Sequence, residues 1–293
     1  MKPQTLSLVV VALAALTAAC GSDDHGNPSS SGGSYITWDS TASELAAQAD
    51  VRCEGTASQC QRGAAQLYAE VARTSTSTSY SICTAFIITP ELAMTNSHCL
   101  PTGMEAGTPC GDKVFLKFPS GPGLAAEVAT CQTIVSRSNI DTQSEVDYAV
   151  LRLATPVISR TPFSLDQSAL RDHAPLTLYR ITPSSANGAP SPGGTLHVTP
   201  CLLDRATANP DAPRGSEYNR AEYLAGCEVV EGNSGSAVVN NRGRAVGVLS
   251  HSYTSATAGD GHTAGTIVHG GRMTSLGCLS FAHAPRRIPR SCF

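Results

Sequence analysis

The chain has 293 residues, 41% of them hydrophobic, enough to bury a sizeable core and to hold two compact halves. Its formal net charge is only −3, which gives no footprint for nucleic acid, and the one dense basic run, Arg286-Arg287 with Arg290, reads as a solvated tail. Eleven cysteines point away from a reducing compartment and towards an oxidising one.

The beginning agrees with that compartment. Lys2 precedes an apolar stretch over residues 6–16 that ends in Thr17-Ala18-Ala19-Cys20. The stretch is too short to span a bilayer and reads as a secretory leader over residues 1–19. Small residues just before a cysteine resemble a bacterial lipobox, in which Cys20 would receive lipid and become the first mature residue. Thr17 stands where Leu is more usual, so ordinary leader cleavage stays open. Cysteine parity favours lipidation, since losing Cys20 leaves an even number to pair. Residues 20–34, rich in Ser, Gly, Asp and Asn, read as a flexible tether. Residues 35–63 form an N-terminal extension, partly helical around residues 42–49, with no chemistry assigned to it.

From Gln66 the pattern becomes that of strands. Leu67, Ala69 and Val71 alternate with Tyr68, Glu70 and Ala72, and residues 80–89 (YSICTAFIIT) are strongly β-prone. Pro90-Glu91 turns the chain into residues 92–95, which lead directly to His98. Further β-prone runs cover residues 114–118, 127–135, 148–153, 176–181, 195–203, 236–239, 245–251 and 265–269. Gly, Pro, Asn and Ser clusters separate them, which predicts an all-β sandwich or barrel. Residues 156–175 form the joint between two halves, and residues 183–194 read as a long loop inside the second half.

Three segments carry candidate chemistry. Glu231-Gly232-Asn233-Ser234-Gly235-Ser236-Ala237 holds a serine between glycines beside an apolar run. A serine hydroxyl is a poor nucleophile unless a base takes its proton and donors catch the oxyanion. Taken alone, such a cluster is more often a surface turn. Thr95-Asn96-Ser97-His98-Cys99 supplies a general base, since imidazole titrates where it must accept and return a proton. Glu145-Val146-Asp147-Tyr148-Ala149-Val150-Leu151 supplies a carboxylate at the head of an apolar strand, where it is costly unless paired. Asp141 and Glu145 compete with Asp147, but neither abuts that apolar run.

His, Asp and Ser in this chain order, on these blocks, resemble the trypsin-like serine peptidases of the chymotrypsin fold, over roughly residues 64–278. The histidine block is Cys83-Thr84-Ala85-Phe86-Ile87-Ile88 through Thr95-Asn96-Ser97-His98-Cys99, and the aspartate block is Asp147-Tyr148-Ala149-Val150-Leu151-Arg152-Leu153. Gly232-Asn233-Ser234-Gly235-Ser236 is similar to the serine block of the secreted bacterial glutamyl endopeptidases. The resemblance implies two packed six-stranded antiparallel β-barrels, about 64–155 and about 174–280, in a domain spanning residues 64–293. It implies an endopeptidase working through an acyl-enzyme, with Ser234 as nucleophile, His98 as base and Asp147 as the group that orients it. The N–H groups of Gly232 and Ser234 would form the oxyanion hole. Cys83 would bridge to Cys99 and hold His98, a closure worth about 3 kcal/mol for a loop of this size. That use of Cys99 argues against a metal, and no cofactor is implied. His251, His262 and His269 have no comparable setting.

The pattern also departs from the family. Asn233 stands where trypsin-type enzymes place the aspartate that pairs with a freed amino terminus, so no activation by that ion pair is expected. Glu228, six residues before Ser234, stands where trypsins place the acid that selects Lys or Arg, and a buried carboxylate there could act alike. Val229 follows it, and the cysteine usual between that site and the serine is missing. Ser250 and Ser252, in Gly247-Val248-Leu249-Ser250-His251-Ser252, complete the expected pocket, with Ser250 also bonding the catalytic aspartate. Glutamyl endopeptidases use a histidine where this chain has Leu249, so a preference for Glu is not expected.

Two readings from other classes stay open at this point, a non-catalytic envelope lipoprotein using the fold for binding and a disulfide-stapled surface module. Nearest-neighbour pairing suggests Cys53–Cys60, Cys110–Cys131, Cys201–Cys227 and Cys278–Cys292. The expected partners are protein or peptide substrates and, through Cys20, a membrane, with the protein exported and monomeric.

Overall fold

The structure, a computed structural model, describes residues 34–138, 147–204, 222–255 and 268–276, without the side chains of residues 204, 223, 251–255 and 268–272. The leader, Cys20, nearly all of the tether, Asp141, Glu145, His262, Cys278 and Cys292 therefore lie outside the described residues.

The first sheet is built from β1 (Ser34–Trp38), β3 (Ala64–Arg73), β4 (Thr78–Thr89), β5 (Leu92–Thr95), β6 (Val114–Phe118), β7 (Glu127–Arg137) and β8 (Ala149–Leu153). Its order is β1-β4-β3-β6-β7-β8-β5, and β5 also pairs with β4, so six strands close into an antiparallel barrel with β1 outside the ring. The second sheet holds β2 (Asp50–Cys53), β9 (Pro175–Ala186), β10 (Ala189–Asp204), β11 (Glu222–Ala225), β12 (Ala237–Asn240), β13 (Ala245–Ser255) and β14 (Val268–Ser275). Its order is β11-β14-β13-β12-β9-β10-β2, and pairing of β10 with β11 closes a second ring of six. Closure leaves no free sheet edges within each ring.

Each barrel has its own apolar interior, with Leu67, Ile87, Leu116 and Leu151 in the first and Leu178, Leu224, Val246 and Met273 in the second. A third cluster, containing Phe86, Met94, Val150, Phe163, Ile181 and Val248, draws on both and glues them together. Phe163, on the connection between the halves, packs edge-on against Phe86 at 5.6 Å and Tyr179 at 5.1 Å.

The N-terminal extension belongs to both sheets. The α-helix α1 (Ala42–Gln48) starts with a capping box in which Thr41 and Glu44 bond each other's backbone N–H, and it buries Leu45 and Ala46. These two join Ile36, Tyr68, Tyr80 and Phe115 in a cluster outside the first barrel. Tyr68 under that layer, Ala64 in the cluster between the barrels and Gln66 bonded to Gly193 O leave residues 64–69 of β3 buried on both faces, without alternation. Strand β2 runs parallel to β10 while Cys53 N–H and Ser120 N–H donate to Ser120 and Val51 carbonyls, each at 2.8 Å.

Residues 183–194 are not the loop that their prolines suggest. Strands β9 and β10 form one long hairpin through Asn187-Gly188, at φ 53 and 80, the geometry that a two-residue turn needs. A register shift between Ser191 and Gly194 takes Pro192 out of the ladder, while Pro183 and Pro190 pair within it.

Candidate active site

Strand β5 delivers the histidine turn and β8 begins just after Asp147, so both side chains emerge at the same end of the first barrel. His98 Nδ1 lies 2.6 Å from Asp147 Oδ2. An ionised carboxylate only accepts, so Nδ1 is the donor in this contact. Asp147 Oδ1 accepts from the N–H groups of Ser97 (2.8 Å) and His98 (3.2 Å), and Oδ2 also accepts from Ser250 Oγ (2.6 Å). Thr274 Oγ1 accepts from the Asp147 N–H at 3.1 Å, and Asn96 Nδ2 donates to its carbonyl at 2.7 Å. The carboxylate is thus fixed from both barrels, and the imidazole with it.

Arg137 holds the turn that carries His98. Its guanidinium donates to Ser97 Oγ (2.9 Å) and to the carbonyls of Ser97 (3.0 Å), Leu100 (3.0 Å), Pro101 (2.8 Å) and Met104 (2.7 Å). Burial pushes its pKa down, with Glu105 and Asp147 opposing the shift. Cys83 and Cys99 are joined, tying β4 to the same turn. The donor atoms of Cys83, His98 and Cys99 lie within 4.8 Å of one another, but a disulfide offers no thiolate to a metal ion. Cys53–Cys60, Cys110–Cys131 and Cys201–Cys227 are also joined.

The serine turn comes from the second barrel and is pinned at three successive carbonyls. Gly232 O accepts from Thr84 Oγ1 (3.1 Å), Asn233 O from Ser236 Oγ (2.6 Å), and Ser234 O from the Thr84 N–H (2.7 Å). A carbonyl held on one side of a trans peptide directs the following N–H to the other. Gly235 N–H goes to Leu249 O at 2.8 Å and Asn233 N–H to Val230 O at 3.1 Å, whereas the N–H groups of Gly232 and Ser234 have no acceptor among the described residues. Asn233 is fully buried, its Oδ1 accepting from Val230 N–H (2.9 Å) and its Nδ2 donating to Ile181 O (2.8 Å). Gly235, at φ +88, passes so close to β4 that a Cβ would sit 1.9 Å from Thr84 O.

The two halves of the site meet at Cys99, whose Sγ lies 3.9 Å from both His98 Nε2 and the Ser234 carbonyl. Ser234 Oγ donates to Ser250 O at 3.0 Å. His98, Asp147, Ser234 and Ser250 therefore converge on the seam between the barrels.

Glu228, offered above as an acid that could act if buried, is instead 62% exposed and lies 3.5 Å from the nearly buried Arg180. Burial lowers the Arg180 pKa and Glu228 raises it. Val229 turns into the second barrel's interior with Leu224, Leu249 and Met273. Ser252 lies on β13, and its side chain is outside the described ones.

Sequence reasoning missed Thr84, Arg137, Arg180, Ser236 and Thr274. The first four sit in or beside a β-prone run and Thr274 in a strand that runs past one, where a hydroxyl or guanidinium has no signature until its partners are known.

A family model described as Trypsin matches residues 55–267. A comparison with curated proteins matched none. Among solved structures, the crystal structure of a scabies mite inactivated protease paralogue is similar with a TM-score of 0.50 at 14% identity, covering 72% of this chain and 86% of that one. At that identity the likeness concerns the fold.

Proposed function

The chain belongs to the trypsin family of serine endopeptidases, and on that premise we propose that it is an exported enzyme hydrolysing peptide bonds through Ser234, His98 and Asp147. The observation that carries this reading is the 2.6 Å contact of His98 Nδ1 with Asp147, which leaves Nε2 as a base on the side of the ring bordering the serine turn.

Ser234 Oγ turns from Ser250 O towards Nε2, gives up its proton there and attacks the scissile carbonyl carbon. The tetrahedral oxyanion accepts from the N–H groups of Gly232 and Ser234, donors oriented before the reaction begins. His98 then returns the proton to the leaving amine nitrogen as the C–N bond breaks, giving an acyl-enzyme. Water attacks the acyl carbon while His98 takes its proton, and Ser234 Oγ recovers that proton as the peptide acid leaves. A binding module on this fold would have no need of the three groups together.

Asn233 supports a site that assembles without a freed amino terminus, because its amide is bonded on both sides within the chain. The exposed Glu228, engaged by Arg180, gives no support to selection of Lys or Arg by that residue. The four disulfides among the described residues favour export, and Cys20 is the proposed lipid attachment point.

An organophosphorus active-site probe tests the reading. The folded protein should be labelled, and Ser234→Ala should not; an unlabelled protein with intact bridges would leave a non-catalytic member of the family. Expression of residues 21–293 should give activity before any internal cleavage.

A further inference from the structure

We propose that Thr84 is a positioning residue for the oxyanion hole, its hydroxyl locking the serine turn of the second barrel to the first. This rests on the catalytic reading above and deepens it. Thr84 is fully buried on β4, next to Cys83, whose bridge to Cys99 abuts His98. Its backbone and side chain serve different partners. The N–H donates to Ser234 O at 2.7 Å, and the carbonyl accepts from Thr95 Oγ1 at 2.8 Å. The hydroxyl donates to Gly232 O at 3.1 Å and accepts from the Ile181 N–H at 3.3 Å, using its donor and a lone pair.

These contacts close a ring. From Thr84 Oγ1 the path runs to the Gly232 carbonyl and along the chain to Asn233. Asn233 Nδ2 donates to Ile181 O at 2.8 Å, and the Ile181 N–H returns to Thr84 Oγ1. The ring joins β4, β9 and the serine turn through one hydroxyl. It fixes the Gly232 carbonyl, which lies between the two N–H groups that must point at a single oxygen. In a family where an ion pair with a freed terminus can order this turn, Asn233 has no charge to offer, and an internal hydrogen-bonded ring takes that place.

The consequence is separable from binding. Donors aimed at an oxyanion act only once the tetrahedral species forms, so loosening them lowers kcat and leaves KM nearly alone. Thr84→Val keeps the shape and removes the hydroxyl. It should lower kcat for a peptide substrate by about 10- to 100-fold, the range for a modest misplacement of preorganised groups, with KM changed by less than about twofold. The inhibition constant of a peptide boronic acid, whose adduct is tetrahedral, should rise by the same factor as kcat falls. That of a product-like peptide acid should not move. Thr84→Ser should recover most of kcat.

If Thr84→Val does not fold, Thr84→Ala and Thr84→Ser share the lost methyl and differ only in the hydroxyl, so their kcat ratio reads the same contact. A kcat within about twofold of wild type in the hydroxyl-free variants, or equal losses in Ala and Ser, would overturn the role of Thr84 while leaving the enzyme assignment standing. Failure of the wild-type protein to react with the organophosphorus probe would instead remove the catalytic reading itself.

Discussion

Ser250, from the second barrel, donates its hydroxyl to Asp147 Oδ2 of the first at 2.6 Å, the same oxygen that holds His98 Nδ1. Ser250 also offers its carbonyl to Ser234 Oγ at 3.0 Å, so one buried residue touches both ends of the proposed relay. A hydrogen bond to a charged group contributes about 1.5–3 kcal/mol. Ser250→Ala removes one donor to the carboxylate while keeping the backbone carbonyl. The expected result is a kcat reduced about tenfold with the fold retained, measured on a peptide substrate alongside thermal unfolding.

Arg137 should resist conservative replacement. Lysine carries three donors on a flexible stem, whereas this guanidinium serves five acceptors around residues 97–104 in a fixed fork. Each acceptor left orphaned costs about 1–3 kcal/mol, so Arg137→Lys should lose about 2 kcal/mol or more of stability. Activity should fall further than stability alone requires, because the loosened turn carries His98. Denaturant unfolding and kcat measured below the transition would separate the two effects.

Gly235→Ala should be among the most damaging small changes in the molecule. Its Cβ would meet a backbone carbonyl at 1.9 Å from a φ of +88, and neither Thr84 nor the neighbouring strand can step aside. Loss of soluble folded protein, or folded protein without probe labelling, is the expected outcome. Gly243→Ala, at φ +72 in open space, is the control with strain but no clash.

Asp166 makes acid stability testable far from the site. Its hydrogen bonds to Ser168 hold the carboxyl below the ordinary aspartate range, with Arg242 and Asn240 assisting. A lowered folded value means that its contribution is present above the unfolded value of about 3.9 and is lost as pH falls through the folded one. Asp166→Asn should therefore lower stability at neutral pH and flatten its decline below about pH 4, as read from unfolding midpoints across pH.

Strand runs such as residues 114–118 and the order of His98, Asp147 and Ser234 were legible in the chain. Alternation and apolar runs are local properties, and each catalytic residue type carries its chemistry with it. Short polar or irregular segments were not. The extension's β2 and the short β11, of four residues each, are too short for a pattern, and β1 follows directly on a polar tether; each pairs with an edge that a neighbour offers. Asn187-Gly188 was hidden by flanking prolines that announce a loop, although Pro183 and Pro190 pair within the ladder and only Pro192 falls in the register shift.

The amino-acid sequence by itself determined that a His, an Asp and a Ser follow one another in this order and that many short strands would carry them. Tertiary structure alone decided how they are held. Only closure of two barrels brings Thr84, Ser250 and Thr274 to the residues they bond, across separations that no local pattern spans. It also turned Glu228 outward to Arg180, because a carboxylate is costly in an apolar interior such as the one Val229 enters with Leu224, Leu249 and Met273.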